Sequence, residues 1–267
     1  MKFVNPAVQE DEGGLPAERA ERICDMLRDR HVLSNGHLAR EMGVTPVTIR
    51  RDLIQLEKQG RIRRVHGGAV LLDSAWQEQH FDDKTETASV AKRAIAQEAA
   101  RRIGRGESVY LDGGSTVLAL ARLLRDRSDL TVVTNSFRAA LELSTQGPRL
   151  VLIGGELRRM SQTMVGPMSR FVLESLHVDQ AFMGTIGLTI QDGMTTTEPQ
   201  EAFTKEWAMR QARNVTLLAD VSKFHVRSFA RSGSIRDIDV LITNRMDTKM
   251  RSALKKFRLE IVETGEE

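Results

Sequence analysis

A single cysteine, Cys24, stands in the 267 residues, which excludes an internal disulfide framework and any zinc site built from several thiolates. Aromatic residues make up only 4% of the chain. No charge-free apolar run reaches the roughly 20 residues that a membrane-spanning helix needs. The opening Met1-Lys2-Phe3-Val4-Asn5-Pro6 lacks the apolar segment of a signal peptide. The expectation is a cytoplasmic protein with no membrane partner, and at about 100 to 200 residues per domain its length suggests two domains. Excess charge is scarce as well, a net +3, but it is unevenly placed. Residues 17 to 72 hold ten arginines and Lys58 against seven acidic residues, an excess of four, which leaves the other residues at −1. The cluster Arg50, Arg51, Lys58, Arg61, Arg63 and Arg64 suits either a polyanion-binding module or a solvated helix face.

Residues 1 to 16, ending Gly13-Gly14-Leu15-Pro16, have no apolar period and read as a mobile tail. Ala20, Ile23, Cys24, Met26 and Leu27 then recur at helical spacing, with Cys24 on the core stripe. Ser34 is placed to cap a short second helix that Gly43 stops. Thr45-Pro46, a cap followed by proline, opens a third helix running to Gln59 and closed by Gly60. Arg61 to Val70 mixes β-branched residues with a Gly-Gly break, as a small hairpin does. Three short helices and this hairpin predict a winged helix-turn-helix over 17 to 72. The polar stretch 73 to 87 reads as a linker. From 88 to 267, β-branched strands alternate with helical crossovers, the pattern of a parallel α/β sheet.

At about 100° per residue, Leu53 and Leu56 fall within roughly 40° of Ile49 and face the core, whereas Val47, Thr48, Arg51 and Gln55 lie opposite and Arg50 on the flank. That outer face carries what a major groove can read: Arg for guanine, Gln for adenine, a methyl for thymine. Arg63 and Arg64 on the hairpin would contact phosphate, and His66 lies near them.

The ordered string Thr45-Pro46-Val47-Thr48-Ile49-Arg50-Arg51-Asp52-Leu53, then Leu56-Glu57 and Arg64-Val65-His66-Gly67-Gly68-Ala69, closely resembles the DNA-binding head of DeoR-type transcriptional regulators. The resemblance implies that Thr45, Thr48, Arg50 and Arg51 contact double-stranded operator DNA. Thr45 stands where the family usually has Ser.

In the second part, Leu111-Asp112-Gly113-Gly114-Ser115-Thr116 runs from a strand through two glycines into a helix, which gathers backbone N–H groups where an anion such as phosphate can bind. No Gly-Lys-Ser/Thr follows, so nucleotide hydrolysis is not expected, and the turn also serves a purely structural reading. Thr134-Asn135-Ser136 and Gly154-Gly155 close two more strands, and ligands of open α/β sheets bind at such carboxyl ends. Lys223 is placed to supply a cation.

This order of motifs resembles the sensor domain of DeoR-type regulators, similar in fold to ribose phosphate isomerases and coenzyme A transferases. The resemblance implies a phosphorylated sugar held by Asp112, Gly114, Ser115, Thr116, Thr134, Asn135, Gly154, Gly155 and Lys223, with Thr185 and Gly187 lining the pocket. The rival is a sugar phosphate isomerase carrying a DNA-binding head, which needs a carboxylate base. Isomerases of this fold have an acidic run after the corresponding strand, but Met183-Gly184-Thr185-Ile186-Gly187 has none; Asp179 lies earlier and Glu198 and Glu201 later. The six histidines lack metal-ligand spacing, and Thr195-Thr196-Thr197-Glu198 reads as the cap of the helix that follows Pro199 or as further lining of the pocket, the cap being preferred. The sequence thus points to a non-enzymatic repressor of a carbohydrate operon, acting without cofactor or metal as a homodimer or homotetramer on paired half-sites.

Overall fold

The computed structural model describes residues 16–30, 32–59, 61–65, 67–71 and 89–265, which fall into two compact units. The tail to residue 15 and the linker 73–87, together with Gly60 and His66, lie outside the described residues.

The first unit contains α1 (Pro16–Arg30), β1 (Val32–Ser34), α2 (Asn35–Met42), α3 (Pro46–Lys58), β2 (Ile62–Val65) and β3 (Gly68–Leu71). Pro16, expected to end the tail, is instead the first residue of α1, where its missing N–H is harmless. The Ser34 hydroxyl accepts the His37 N–H at 3.2 Å, and Gly43 ends α2 in the left-handed region at φ 65°. Thr45 caps α3 by accepting the Thr48 N–H at 3.2 Å. The expected hairpin forms, and β1, which the sequence pattern did not reveal, joins it in the order β1-β3-β2. Ile23, Leu27, Leu38, Ile49, Leu53, Leu56 and Ile62 are buried together as one core.

The second unit is built on a seven-stranded sheet whose paired strands all run parallel. Its elements are α4 (Ser89–Arg101), β4 (Ser108–Leu111), α5 (Ser115–Leu123), β5 (Thr131–Thr134), α6 (Phe137–Leu143), β6 (Arg149–Leu152), β7 (Glu156–Arg158), β8 (Thr163–Val165), α7 (Pro167–Leu173), β9 (Val178–Met183), β10 (Gly187–Thr189), β11 (Gly193–Thr196), α8 (Pro199–Arg210), β12 (Ala212–Leu218), β13 (Ala230–Gly233), β14 (Val240–Thr243), α9 (Thr248–Leu254) and β15 (Glu260–Glu263). Strand order is β15-β14-β12-β9-β4-β5-β6. From β4 the chain builds outward through β5 and β6, then returns to β4's other side with β9, so the connections reverse between β4 and β9. Such a reversal opens a crevice at the strands' carboxyl ends.

Alternation along the strands divides the interior in two. Val109, Leu111, Val132 and Phe182 bury one sheet face with residues of α4, α5 and α6, while Tyr110, Val133, Ala181 and Met183 bury the other with residues of α7, α8 and α9. The sequence pattern missed the antiparallel β7–β8 pair, the small β10-β11-β13 sheet, α7, α9 and β15. The strands among these are short and carry Gly, Thr or charged residues where a strand pattern needs apolar ones, and α7 and α9 are each only 7 residues long, too short for a helical period to register.

At the amino end of β9, opposite the crevice, Asp179 accepts the Ser108 N–H at 2.9 Å and the Ser108 hydroxyl at 2.7 Å. These donors hold its carboxyl below the usual carboxylate range. The stabilisation is therefore complete at neutral pH and is lost as pH falls through the lowered value. Asp179→Asn should flatten the acid limb of the stability profile, as measured by urea unfolding at stepped pH.

Candidate functional site

Two regions collect polar side chains that the cores do not use. The first is the outer face of α3. With Ile49, Leu53 and Leu56 buried, Val47 is 59% exposed and Arg50, Arg51 and Gln55 are exposed. Thr48 is half-buried, its hydroxyl 2.9 Å from that of Thr45. Among the described residues Arg50 and Arg51 have no ion-pair partner, so no described acid competes for their guanidinium groups. Arg64 differs: its Nε donates to Glu57 at 2.6 Å and its backbone N–H to the same carboxylate at 2.9 Å. Those bonds lower the Glu57 pKa and anchor the hairpin to α3, so a phosphate would have to share Arg64. Arg63 lies in β2, paired with Val70.

The second region is the crevice between β4 and β9. Asp112, immediately beyond β4, is 1% exposed. Its carboxylate accepts the Gly184 N–H at 2.9 Å and pairs with Lys205 of α8, whose Nζ also donates to the Gly184 carbonyl at 3.1 Å. Burial raises the Asp112 pKa, and Lys205 and the backbone donors pull against it. Glu201, one helical turn before Lys205, is 5% exposed. It accepts from Arg158 at 3.1 Å, Thr163 at 3.2 Å and Thr196 at 2.8 Å. Glu201 and Lys205 thus carry charge into the crevice from one face of α8. Sequence reading missed Arg158, Thr163 and Lys205 in this role; the available signal was the i, i+4 spacing of Glu201 and Lys205, which on an isolated helix describes a solvated face equally well.

The β7–β8 pair lies over the β4–α5 turn. A Cβ on Gly113 would fall 2.2 Å from the Thr163 methyl, so only glycine admits this approach. Gly114 adopts φ 134° and leads into α5, whose first turn has no side-chain cap. Ser115 is half-buried and Thr116 buried beside those free N–H groups. Asn135, 2% exposed, donates its Nδ2 to the Met164 carbonyl at 3.0 Å, while its buried Oδ1 has no partner among the described residues. The fully buried Tyr110, two residues before Asp112 on the same strand face, likewise has a hydroxyl without a partner among them, and burial pushes its pKa well up.

Several residues expected to bind a ligand also have internal duties. The Thr134 hydroxyl donates to the Leu111 carbonyl at 2.6 Å, and that of Thr185 to the Gly187 and Thr195 carbonyls at 2.8 and 3.1 Å. Gly187 is buried, with room for a Cβ closed off by the Val226 carbonyl at 2.3 Å. Gly155, at φ 153°, admits the Val165 carbonyl, whereas Gly154 faces open space. Lys223 lies in the short turn Val221–Lys223 beyond β12, two strands away from β4. The cap of α8 is Glu198, which accepts the Gln200 N–H at 3.2 Å; Thr195 and Thr196 bond elsewhere. No group of three or more metal-ligating residues occurs among the described residues, and none of the described helices is long and apolar enough to cross a membrane.

Gly113→Ala should cost about 1–3 kcal/mol through overpacking. Adding Thr163→Ser removes the opposing methyl while keeping the hydroxyl for Glu201, and should restore most of that loss in chemical denaturation. A Gly113→Ala variant as stable as the parent would show that the hairpin does not press on this turn.

Comparison with known proteins places these two regions. Residues 19–75 match the family described as DeoR-like helix-turn-helix domain, and residues 87–245 that described as DeoR C terminal sensor domain. The chain is similar to the HTH-type transcriptional regulator GlpR of Haloferax volcanii, 37% identical over 93% of this chain and 98% of that protein. It is similar also to the putative aga operon transcriptional repressor of Escherichia coli O157:H7, 32% identical over 94% of each. The HTH-type transcriptional repressor GlcR of Bacillus subtilis is 34% identical over 86% of this chain and 88% of its own. Among solved structures, ribose 5-phosphate isomerase A from Methanocaldococcus jannaschii covers 50% of this chain and 53% of its own at 20% identity and a TM-score of 0.38, too distant a likeness to bear on function.

Proposed function

The chain belongs to the DeoR family of DNA-binding transcriptional regulators, and we propose that it represses a carbohydrate catabolic operon, with a phosphorylated sugar in the β4–β9 crevice controlling its hold on DNA. We divide it into a DNA-binding head over 17–72, a linker over 73–87 and an effector-binding body over 88–267. The observation that carries the effector assignment is the uncapped amino end of α5, reached through Gly113-Gly114 at the point where strand order reverses. A phosphate there would accept from the first N–H groups of α5 and from the Ser115 and Thr116 hydroxyls. The unpartnered Asn135 Oδ1 repels an anion and calls for a donor, which a sugar hydroxyl supplies. One ligand with both groups answers both needs. Gly154 opens onto free space at the neighbouring strand end, Gly155 beside it admits the Val165 carbonyl, and Lys223 is the cation proposed to reach the anion from the β12 side.

The described acids weighed for the isomerase alternative are engaged elsewhere, Glu198 as the cap of α8. Asp112 and Glu201 are each tied to a cation, Lys205 and Arg158, and Asp179 sits at the far end of its strand, bonded to Ser108. Family membership points the same way, to regulators of transcription.

On DNA, α3 is proposed to enter the major groove with Val47, Arg50, Arg51 and Gln55, positioned by Thr45, Thr48, Arg63, Arg64 and His66 at the phosphates. Two heads of a homodimer or homotetramer would occupy half-sites about 34 Å apart. The names of GlcR and of the aga operon repressor support the repressor reading.

Arg51→Ala should weaken operator binding by about 1–3 kcal/mol and relax preference at one base pair, whereas Arg63→Ala should weaken all sequences alike and lower the salt slope by about 1. Titrations on operator and scrambled DNA across a salt series separate the two roles. For the body, Ser115→Asp sets a carboxylate where phosphate oxygens belong while remaining favourable at a helix amino end. Calorimetry against a panel of sugar phosphates should lose its heat in this variant, and operator binding without effector should be unchanged. Wild-type heat from an unphosphorylated sugar alone would overturn the phosphate assignment.

A further inference from the structure

Helix α7 leaves an apolar stripe in water. Its Ser169 and Leu173 are buried, whereas Phe171 is 75%, Met168 69% and Val172 38% exposed. At about 100° per residue these three share one arc, turned away from Ser169 and Leu173. The Phe171 ring alone offers on the order of 150 Å² to solvent. Exposed apolar surface recurs on the β7–β8 pair that α7 packs against, at Leu157. Clustered exposure of this kind marks an association surface.

The charges beside the stripe indicate what covers it. Arg170 and Glu174 lie together on one flank of α7, paired to each other at 2.7 Å, and the Arg170 guanidinium is held 4.5 Å from the Trp207 ring centroid. When two copies of a helix meet antiparallel about a two-fold axis, the same flank of each faces the other in reverse order. With the axis passing at Val172, Arg170 of each copy stands opposite Glu174 of the other, and the apolar residues meet between them. No like charges are brought together. Such self-complementarity is what a two-fold interface requires, and an apolar centre with an arginine-bearing rim is its usual composition.

We propose that the α7 face joins two copies of this chain antiparallel through Met168, Phe171 and Val172, with Arg170 and Glu174 paired across the two-fold axis. This deepens the two-headed reading of operator binding and rests on it for its purpose, although the association is measurable without DNA. Sedimentation of the full chain over a concentration series should show an oligomer whose mass Phe171→Asp halves, or whose association it weakens at least a hundredfold. Arg170→Glu should weaken association by setting carboxylates against each other, and mixing that variant with Glu174→Arg should recover most of it as a mixed pair, because opposite charges again face across the axis while the pairing within each chain stays broken. A side chain needed only for folding of its own chain would not be rescued by a second chain, and if Phe171→Asp fails to fold, the two charge variants and their mixture decide by themselves. A wild-type oligomer that none of the variants disturbs overturns the α7 surface and leaves the two-headed reading standing. A wild-type chain that remains monomeric overturns both and assigns the face to a different protein.

Discussion

The buried pair of Asp112 and Lys205 is the interaction on which the body's crevice depends. An uncompensated charge in a protein interior is so costly that removing one partner of a buried pair commonly destabilises by about 3–5 kcal/mol. Here the cost is offset by more than the pairing itself: the Gly184 N–H donates to Asp112 and the Gly184 carbonyl accepts from Lys205. The ends of β4 and β9 and the inner face of α8 are thereby fixed to one another at the point where strand order reverses. A site placed there inherits defined geometry from three elements far apart in the chain.

A second charged group extends this frame. Glu201 gathers Arg158, Thr163 and Thr196, and the strand pair carrying Arg158 and Thr163 is also tied to the β5–α6 turn, where Met164 and Asn135 exchange backbone and side-chain bonds. The Thr163 methyl then rests on Gly113. The crevice is consequently walled by polar groups that bond one another, and among the described residues the α5 amino end, the Asn135 Oδ1 and the buried Tyr110 hydroxyl are left over; the first two are those proposed to meet a ligand. The proposed preference for an anion joined to a hydroxyl rests on what remains unbonded rather than on an excess of positive charge.

The head follows a different logic. Its α3 carries exposed arginines that meet no acid among the described residues, while Arg19, Arg61 and Arg64 are each bonded to Asp52, Glu21 and Glu57. Ion pairs hold the small unit together on the sides of α1 and the hairpin, and the outer face of α3 is left unneutralised. The body has little of this asymmetry, in keeping with a chain whose positive excess lies in its first quarter.

Most of the head was legible in the sequence because its signals are local. A cap acts on the N–H groups of its own helix, Gly43 ends α2 within one turn, and the alternation of buried and exposed positions along α3 needs only helical periodicity. The parallel sheet was legible for the same reason: runs such as Leu150-Val151-Leu152-Ile153 and Val240-Leu241-Ile242 are continuous and apolar. Tertiary structure alone decided which polar residues at the strand ends face inward. Thr134 and Thr185, expected as ligand groups, also donate to carbonyls of neighbouring segments, and Lys205, which the sequence pattern did not single out, lies buried against Asp112, 93 positions earlier. A hydroxyl or an ammonium bonds whatever folding brings within about 3 Å, and for groups so distant in the chain that partner is set by strand order and helix packing, which residue spacing does not encode.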